Sequence, residues 1–175
     1  MFKKMARRLK TLAGVNVSPI EESRRFGVEI GNGVRLNCLP HWGSEPWLIS
    51  VGNHSEISVN VTFITHDGAT WCFRDQERYK SVIRYGRISI GEHCFIGANS
   101  TIMPNVKIGD YVIVGAGAVV ANDLKSHGVY AGVPARYICS LEQYAEKCLA
   151  ETPSYDTDAY IRDKRAEVMR VYPKR

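Results

Sequence analysis

No apolar run in this sequence approaches the length of a membrane span. The basic start, Met1-Phe2-Lys3-Lys4-Met5, is not followed by the apolar core of a secretion signal. Together these absences lead us to expect a cytoplasmic protein. No C-x-x-C pair occurs, and the five cysteines (Cys38, Cys72, Cys94, Cys139 and Cys148) are odd in number. Neither a disulfide framework nor a zinc finger is indicated, so reduced thiols are expected. Charge of one sign is also scarce: 23 Lys and Arg stand against 18 Asp and Glu, a net +5. The excess collects at the ends. Lys3, Lys4, Arg7, Arg8 and Lys10 precede any acidic residue, and Arg162, Lys164, Arg165, Arg170, Lys174 and Arg175 crowd the other end. No nucleic-acid motif accompanies them, and no nucleic-acid partner is expected. Phe2, Met5, Leu9 and Leu12 can share one helix face, which leaves weak peripheral membrane contact as an expectation for the N-terminus.

What is present is a repeat. Ile90, Ile96, Ile102, Ile108, Val114 and Val120 recur every six residues without a miss. Gly91, Gly97, Met103, Gly109, Gly115 and Ala121 follow them. Four residues after each aliphatic come Cys94, Ser100, Val106, Val112, Ala118 and Leu124, mostly small or apolar. A period of six fits neither a helix nor a flat strand. It fits a coil of short strands with a corner in each hexapeptide, where β-branched residues stack inside and glycine tolerates the bend. Cys38 and Cys94 fall at small positions and are expected in the core.

The same pattern appears earlier in Ile30-Gly31, Leu36-Asn37, Val51-Gly52, Ile57-Ser58 and Phe63-Ile64. Two segments break it: His41 to Trp47, and about His66 to Arg87. Insertions in a repeat protein are extruded as loops, often on the binding face. Beyond the coil, Tyr130 to Arg136 marks a turn and a stop. Ser140 reads as the N-cap of a helix to about Ala150, and a second helix is expected from about Asp158 to Val171. The expected organisation is a basic N-terminal cap over 1–27, a repeat domain over 28–138 with loops near 40–47 and 66–87, and a helical appendage over 139–175.

Phe95-Ile96-Gly97-Ala98-Asn99-Ser100, Val114 to Val120 and the ending Ala131-Gly132-Val133-Pro134-Ala135-Arg136 closely resemble the hexapeptide-repeat acyltransferase family. Gly43-Ser44-Glu45-Pro46 and Phe63 to Gly68 look like its capsular-polysaccharide O-acetyltransferase branch. The resemblance implies an all-β fold, a left-handed parallel β-helix usually assembled as a homotrimer. It also implies acetyl-CoA as donor and a sugar or glycan acceptor. A zinc β-helix enzyme of the γ-carbonic-anhydrase type would need three histidine ligands with a paired spacing that is not present, and no metal is expected.

Moving acetyl from a thioester to a hydroxyl requires a base, an oxyanion donor and two substrates held together. His66 stands where the coil breaks out, the position of the catalytic histidine in the family, and is the expected base. Glu45 or Asp67 is the expected partner of its second nitrogen, with Glu45 preferred. His54 and His93 read as ordinary surface or corner residues, His127 as a tail-loop residue, and His41 as a candidate lining of the acceptor pocket. Asn37 matches an asparagine region that relatives use for the acceptor. Trp71 and Arg74, in a loop rich in aromatics and cations, suit a sugar ring and an acidic group. By resemblance Ala98 and Ala116, 18 residues apart and thus one coil apart, contact coenzyme A, with a backbone N–H near Ala98 facing the oxyanion. Ala121 and Asn122 occupy a place where relatives carry Thr and a basic residue. Arg136 resembles the family's phosphate contact. An amino-sugar N-acetyltransferase and a non-catalytic β-helix scaffold are the alternatives.

Overall fold

The computed structural model describes residues 17–173. The proposed membrane-facing residues 2–12 lie outside the described residues. The chain divides after Leu141 into two units, 1–141 and 142–175. No described helix is long and apolar enough to cross a membrane.

The first element among the described residues is helix α1 (Pro19–Arg25). Ser18 and Glu21 form a capping box, each side chain meeting the other's backbone N–H, and Pro19 supplies a preset φ for the first turn. Short strands then rotate through three sheets. One sheet holds β1 (Glu29–Ile30), β3 (Ile49–Val51), β6 (Ile88–Ile90) and β9 (Lys107–Ile108). A second holds β2 (Arg35–Leu36), β4 (Glu56–Ile57), β7 (Phe95–Ile96), β10 (Ile113–Val114), β12 (Gly128–Ala131) and β13 (Arg136–Ser140). The third holds β5 (Thr62–Phe63), β8 (Thr101–Ile102) and β11 (Val119–Val120). All pairings are parallel except β12 with β13. From β3 to β11 consecutive strands visit the first, second and third sheet in turn, a three-faced parallel coil. Its repeat aliphatics form the core, with Ile57, Ile96, Ile102, Val114 and Val120 wholly buried.

The corners follow one rule that the sequence reading assigned to the wrong position. The left-handed backbone sits three residues after the aliphatic: His54, His93, Tyr111 and His127 at one corner, Asn60, Asn99 and Gly117 at the next, Asn105 at the third. The glycines directly after the aliphatics serve close approach instead. A Cβ on Gly97 would lie 2.5 Å from the Ala116 nitrogen in the coil above. His54 and His93, expected as surface or corner residues, do stand at a corner, and they form one column with Tyr111 and His127: His54 on His93 (5.0 Å), His93 on Tyr111 (4.7 Å) and Tyr111 on His127 (5.1 Å). Cys94 is buried, donating to the Gly109 carbonyl at 3.0 Å, and burial pushes its thiol pKa up. Cys38 is only half-buried and not a core residue.

His41 and Trp42 are not part of the first insertion. His41 pairs in parallel with Thr62. Trp42 fills the core position below Phe63, stacked on it at 4.7 Å, and donates through Nε1 to the buried Ser23 hydroxyl of α1 at 2.9 Å. The coil is left only at Gly43, where φ is +74°. At the far end β13 folds back on β12 and runs through Ser140, so helix α2 (Leu141–Glu151) begins at once.

In the smaller unit, the single helix expected over 158–171 is two: α3 (Thr157–Arg162) and α4 (Lys164–Val171). Asp163 ends the first and caps the second, its side chain accepting from the Ala166 N–H at 3.0 Å. Glu167 is 4% exposed and held at a pKa of about 2, by hydrogen bonds from Arg170 first and from the Asp156 N–H second.

Candidate active site

Both insertions leave the coil at the same corner, between the third and first sheets, one coil apart. Trp42 and Phe63 occupy the same core column, so the residues three positions on, Glu45 and His66, stand at the same corner position. In a regular coil that position carries a left-handed residue such as Asn105. Here the chain departs instead. The second insertion is closed at its neck by a short antiparallel ladder: Gly86 N–H to the Thr65 carbonyl (2.8 Å), the His66–Tyr85 bridge, and Asp67 N–H to the Arg84 carbonyl (2.9 Å).

This geometry brings Glu45 Oε2 to 3.0 Å from His66 Nδ1. The same oxygen accepts from the Thr65 hydroxyl at 2.6 Å. Burial pushes the Glu45 carboxyl up, but the hydrogen bonds from Thr65 and His66 and the attraction of His66 outweigh it, leaving a pKa below the ordinary carboxylate value. The carboxylate is therefore ionised near neutral pH and can hold a proton on Nδ1. His66 is partly exposed, and no described residue takes its Nε2. Tyr85, itself exposed, presents a ring edge-on to the imidazole at 6.4 Å. Thr65 and Tyr85 were not singled out from the sequence. The hexapeptide count itself could have paired Glu45 with His66, had Trp42 been recognised as a core residue.

Asp67 faces away from this pair. Its carboxylate accepts from the Ala69 N–H at 3.0 Å, capping the 3₁₀ turn Gly68–Phe73, and pairs with Arg84 at 3.2 Å. Within the insertion Phe73 packs edge-on against Tyr79 at 5.6 Å. Arg78 lies over the same Tyr79 ring. Trp71 is 80% exposed and pins nothing, and Arg74 is half-buried. Asn37 sits at the edge of the second sheet, its amide donating to Glu56 at 3.0 Å. His41 lines a cleft of about 690 Å³ with Arg25, Phe26, Ser44 and the exposed Trp47.

Ala98 and Ala116 stand level at the corner between the second and third sheets, where Gly117 N–H donates to the Ala98 carbonyl at 2.8 Å. Ala121 and Asn122 lie at the other corner, the one His66 uses, and are exposed. Arg136 is exposed on β13. A single chain therefore carries Ala98 and Ala116 on a different corner from the histidine, a sheet's width apart, while Ala121 and Asn122 share its corner.

The bacterial transferase hexapeptide model (six repeats) matches residues 87–122. Protein CapG of Staphylococcus aureus is 39% identical over 131 residues, covering 74% of this chain and 75% of that protein. The chain belongs to the hexapeptide-repeat transferase family. Galactoside O-acetyltransferase of Escherichia coli (strain K12) is 32% identical to this transferase over 96 residues, 54% of its chain and 45% of the relative. The transferase thus spans under half of that enzyme's length. Its fold matches the hexapeptide-repeat acetyltransferase VCA0836 of Vibrio cholerae with a TM-score of 0.56 at 22% identity, over 79% of this chain and 89% of the other. Acetyl transfer is the chemistry named for both the Escherichia coli enzyme and the Vibrio cholerae protein.

Proposed function

We propose that this acyltransferase moves an acetyl group from acetyl-CoA to a hydroxyl of a sugar in a polysaccharide or its precursor, with His66 as general base. The observation that carries the reading is the Glu45–His66 pair at the break in the coil, with Nε2 open to a substrate. Glu45 holds the proton on Nδ1, which leaves the Nε2 lone pair to take the hydroxyl proton. The hydroxyl oxygen adds directly to the thioester carbonyl to give a tetrahedral oxyanion, whose collapse breaks the C–S bond as the proton passes from Nε2 to the departing thiolate.

The other roles rest on placement and family. The coil is left-handed. Ala98 and Ala116 offer a flat edge for the pantetheine arm, with a backbone N–H near Ala98 for the oxyanion. Arg136, Ala121 and Asn122 face the nucleotide end of coenzyme A. Trp71, Arg74, Asp67 and Asn37 bound the acceptor, Trp71 through its unoccupied ring face. A homotrimer closes the gap between the two corners, so that His66 of one protomer works on a donor held against its neighbour. The protein acts in the cytoplasm, where acetyl-CoA is made.

The test is thiol release from acetyl-CoA against a panel of sugars and glycans, with coenzyme A binding measured by calorimetry. Release that depends on a sugar hydroxyl supports the proposal. Release only with amino sugars moves it to N-acetylation, and absence of coenzyme A binding moves it to a scaffold.

A further inference from the structure

Thr65 is 1% exposed, yet it carries a hydroxyl. A buried hydroxyl costs free energy unless it is bonded, and this one has a single acceptor, Glu45 Oε2, at 2.6 Å. That oxygen is also the one that His66 Nδ1 meets at 3.0 Å. The Thr65 carbonyl, on its other side, receives the Gly86 N–H at 2.8 Å, which closes the neck of the second insertion. Gly43 completes the fit: a Cβ there would lie 3.0 Å from the Thr65 hydroxyl and 2.9 Å from the Phe63 carbonyl. The first insertion can hug Thr65 only because position 43 has no side chain and adopts φ +74°.

We propose that Thr65 is a positioning residue that clamps the Glu45 carboxylate of one insertion against the His66 ring of the other, and so fixes which imidazole nitrogen carries the proton. The inference rests on the reading of His66 as base, and adds what holds that base in its working tautomer. Glu45 lies in a segment that a single 3₁₀ turn, Pro46–Leu48, follows. Its hold on the rest of the chain is slight: its carbonyl accepts from the Leu48 N–H at 3.0 Å, and its own N–H turns back on its carboxylate. Without the Thr65 donor the carboxylate keeps only its own N–H and the His66 ring, and can rotate toward the adjoining solvent. His66 then reverts to the Nε2–H form favoured by a free imidazole, which is unable to accept the substrate proton.

The experiment is long-range ¹H–¹⁵N correlation on histidine-labelled full-length protein at a pH where the ring is neutral. It is run on the wild type, Thr65→Val and Thr65→Ser, with kcat and acceptor KM measured alongside. Wild type should hold His66 as Nδ1–H. Thr65→Val should mix in the Nε2–H form and lose about tenfold in kcat, the size of one hydrogen bond, with KM unchanged. Thr65→Ser should restore both. If Thr65→Val fails to fold, Thr65→Ala carries the same expectation with less steric demand. Retention of the pure Nδ1–H form in the hydroxyl-free variant overturns the proposal, as does loss of thermal stability with no change in tautomer. The tautomer is read without turnover. A clamp that is present while His66→Ala remains fully active would therefore leave Thr65 as the holder of the ring and overturn the base reading alone.

Discussion

The coils from Ile88 to Val120 and the corner where residues 43–48 and 67–84 leave the coil follow the same hexapeptide rule, and differ in what they do with its third position. In the regular coils that position turns the corner, with Asn99, Asn105 and Tyr111 in left-handed backbone. At the interrupted corner it carries Glu45 and His66, and the chain departs. Regularity gives a stack whose layers are locked by packing. Interruption brings an acid from one insertion against a histidine at the root of the other, partly open to solvent. The expected chemistry lies where the period fails, supported by layers that never do.

The contrast can be broken first from the regular side. Ile96 is wholly buried between layers that lack slack, so Ile96→Ala should lower stability by about 2–5 kcal/mol in denaturant unfolding. A loss well below that range would mean that the layers relax as loops do. The same substitution placed in both regions sharpens the comparison. Gly97→Ala sets a Cβ 2.5 Å from the Ala116 nitrogen, whereas the Cβ of Gly68→Ala would meet nothing within 4 Å. The first should cost about 1–3 kcal/mol and the second should stay within about 0.5 kcal/mol of wild type. Equal costs would remove the distinction between packed corner and open loop. Trp71→Ala should leave the melting temperature unchanged, since the ring pins nothing, while raising acceptor KM several-fold, as expected of a lost stacking contact of about 1 kcal/mol. Unchanged KM would take Trp71 out of the acceptor site.

The smallest effect lies in the helical unit. The folded pKa of Glu167 is depressed to about 2 from 4.5. Its contribution is therefore complete above about pH 4.5 and lost as pH falls toward 2. Amide signals of α3 and α4 should broaden or shift over that window, and should not do so in Glu167→Gln. A wild-type unit that is indifferent to acid would contradict the pairing with Arg170.

The fold was legible because six-residue spacing leaves few architectures for the aliphatics from Ile90 to Val120. The site was legible only in part. His66 stands at an evident break, and Glu45 was within reach as its partner, but Trp42 hid the counting that links them by replacing an aliphatic with an indole. Thr65 belongs to the Phe63 to Gly68 motif, but its positioning role has no sequence signal, since its hydroxyl is informative only once burial and the neighbouring carboxylate are known. The corner rule was misplaced because glycine after each aliphatic suggests a bend, when the constraint there is the backbone of the next coil. The gap between α3 and α4 was missed because Asp163 is unremarkable in a helical pattern until its side chain is seen capping Ala166.

The most direct test of the central claim compares acetyl transfer by wild type and His66→Ala on the productive acceptor, with coenzyme A affinity measured for both. A fall in kcat of at least about a hundredfold, with donor affinity and melting temperature unchanged, is the predicted result. A His66→Ala enzyme that retains its rate would contradict the assignment of His66 as the base.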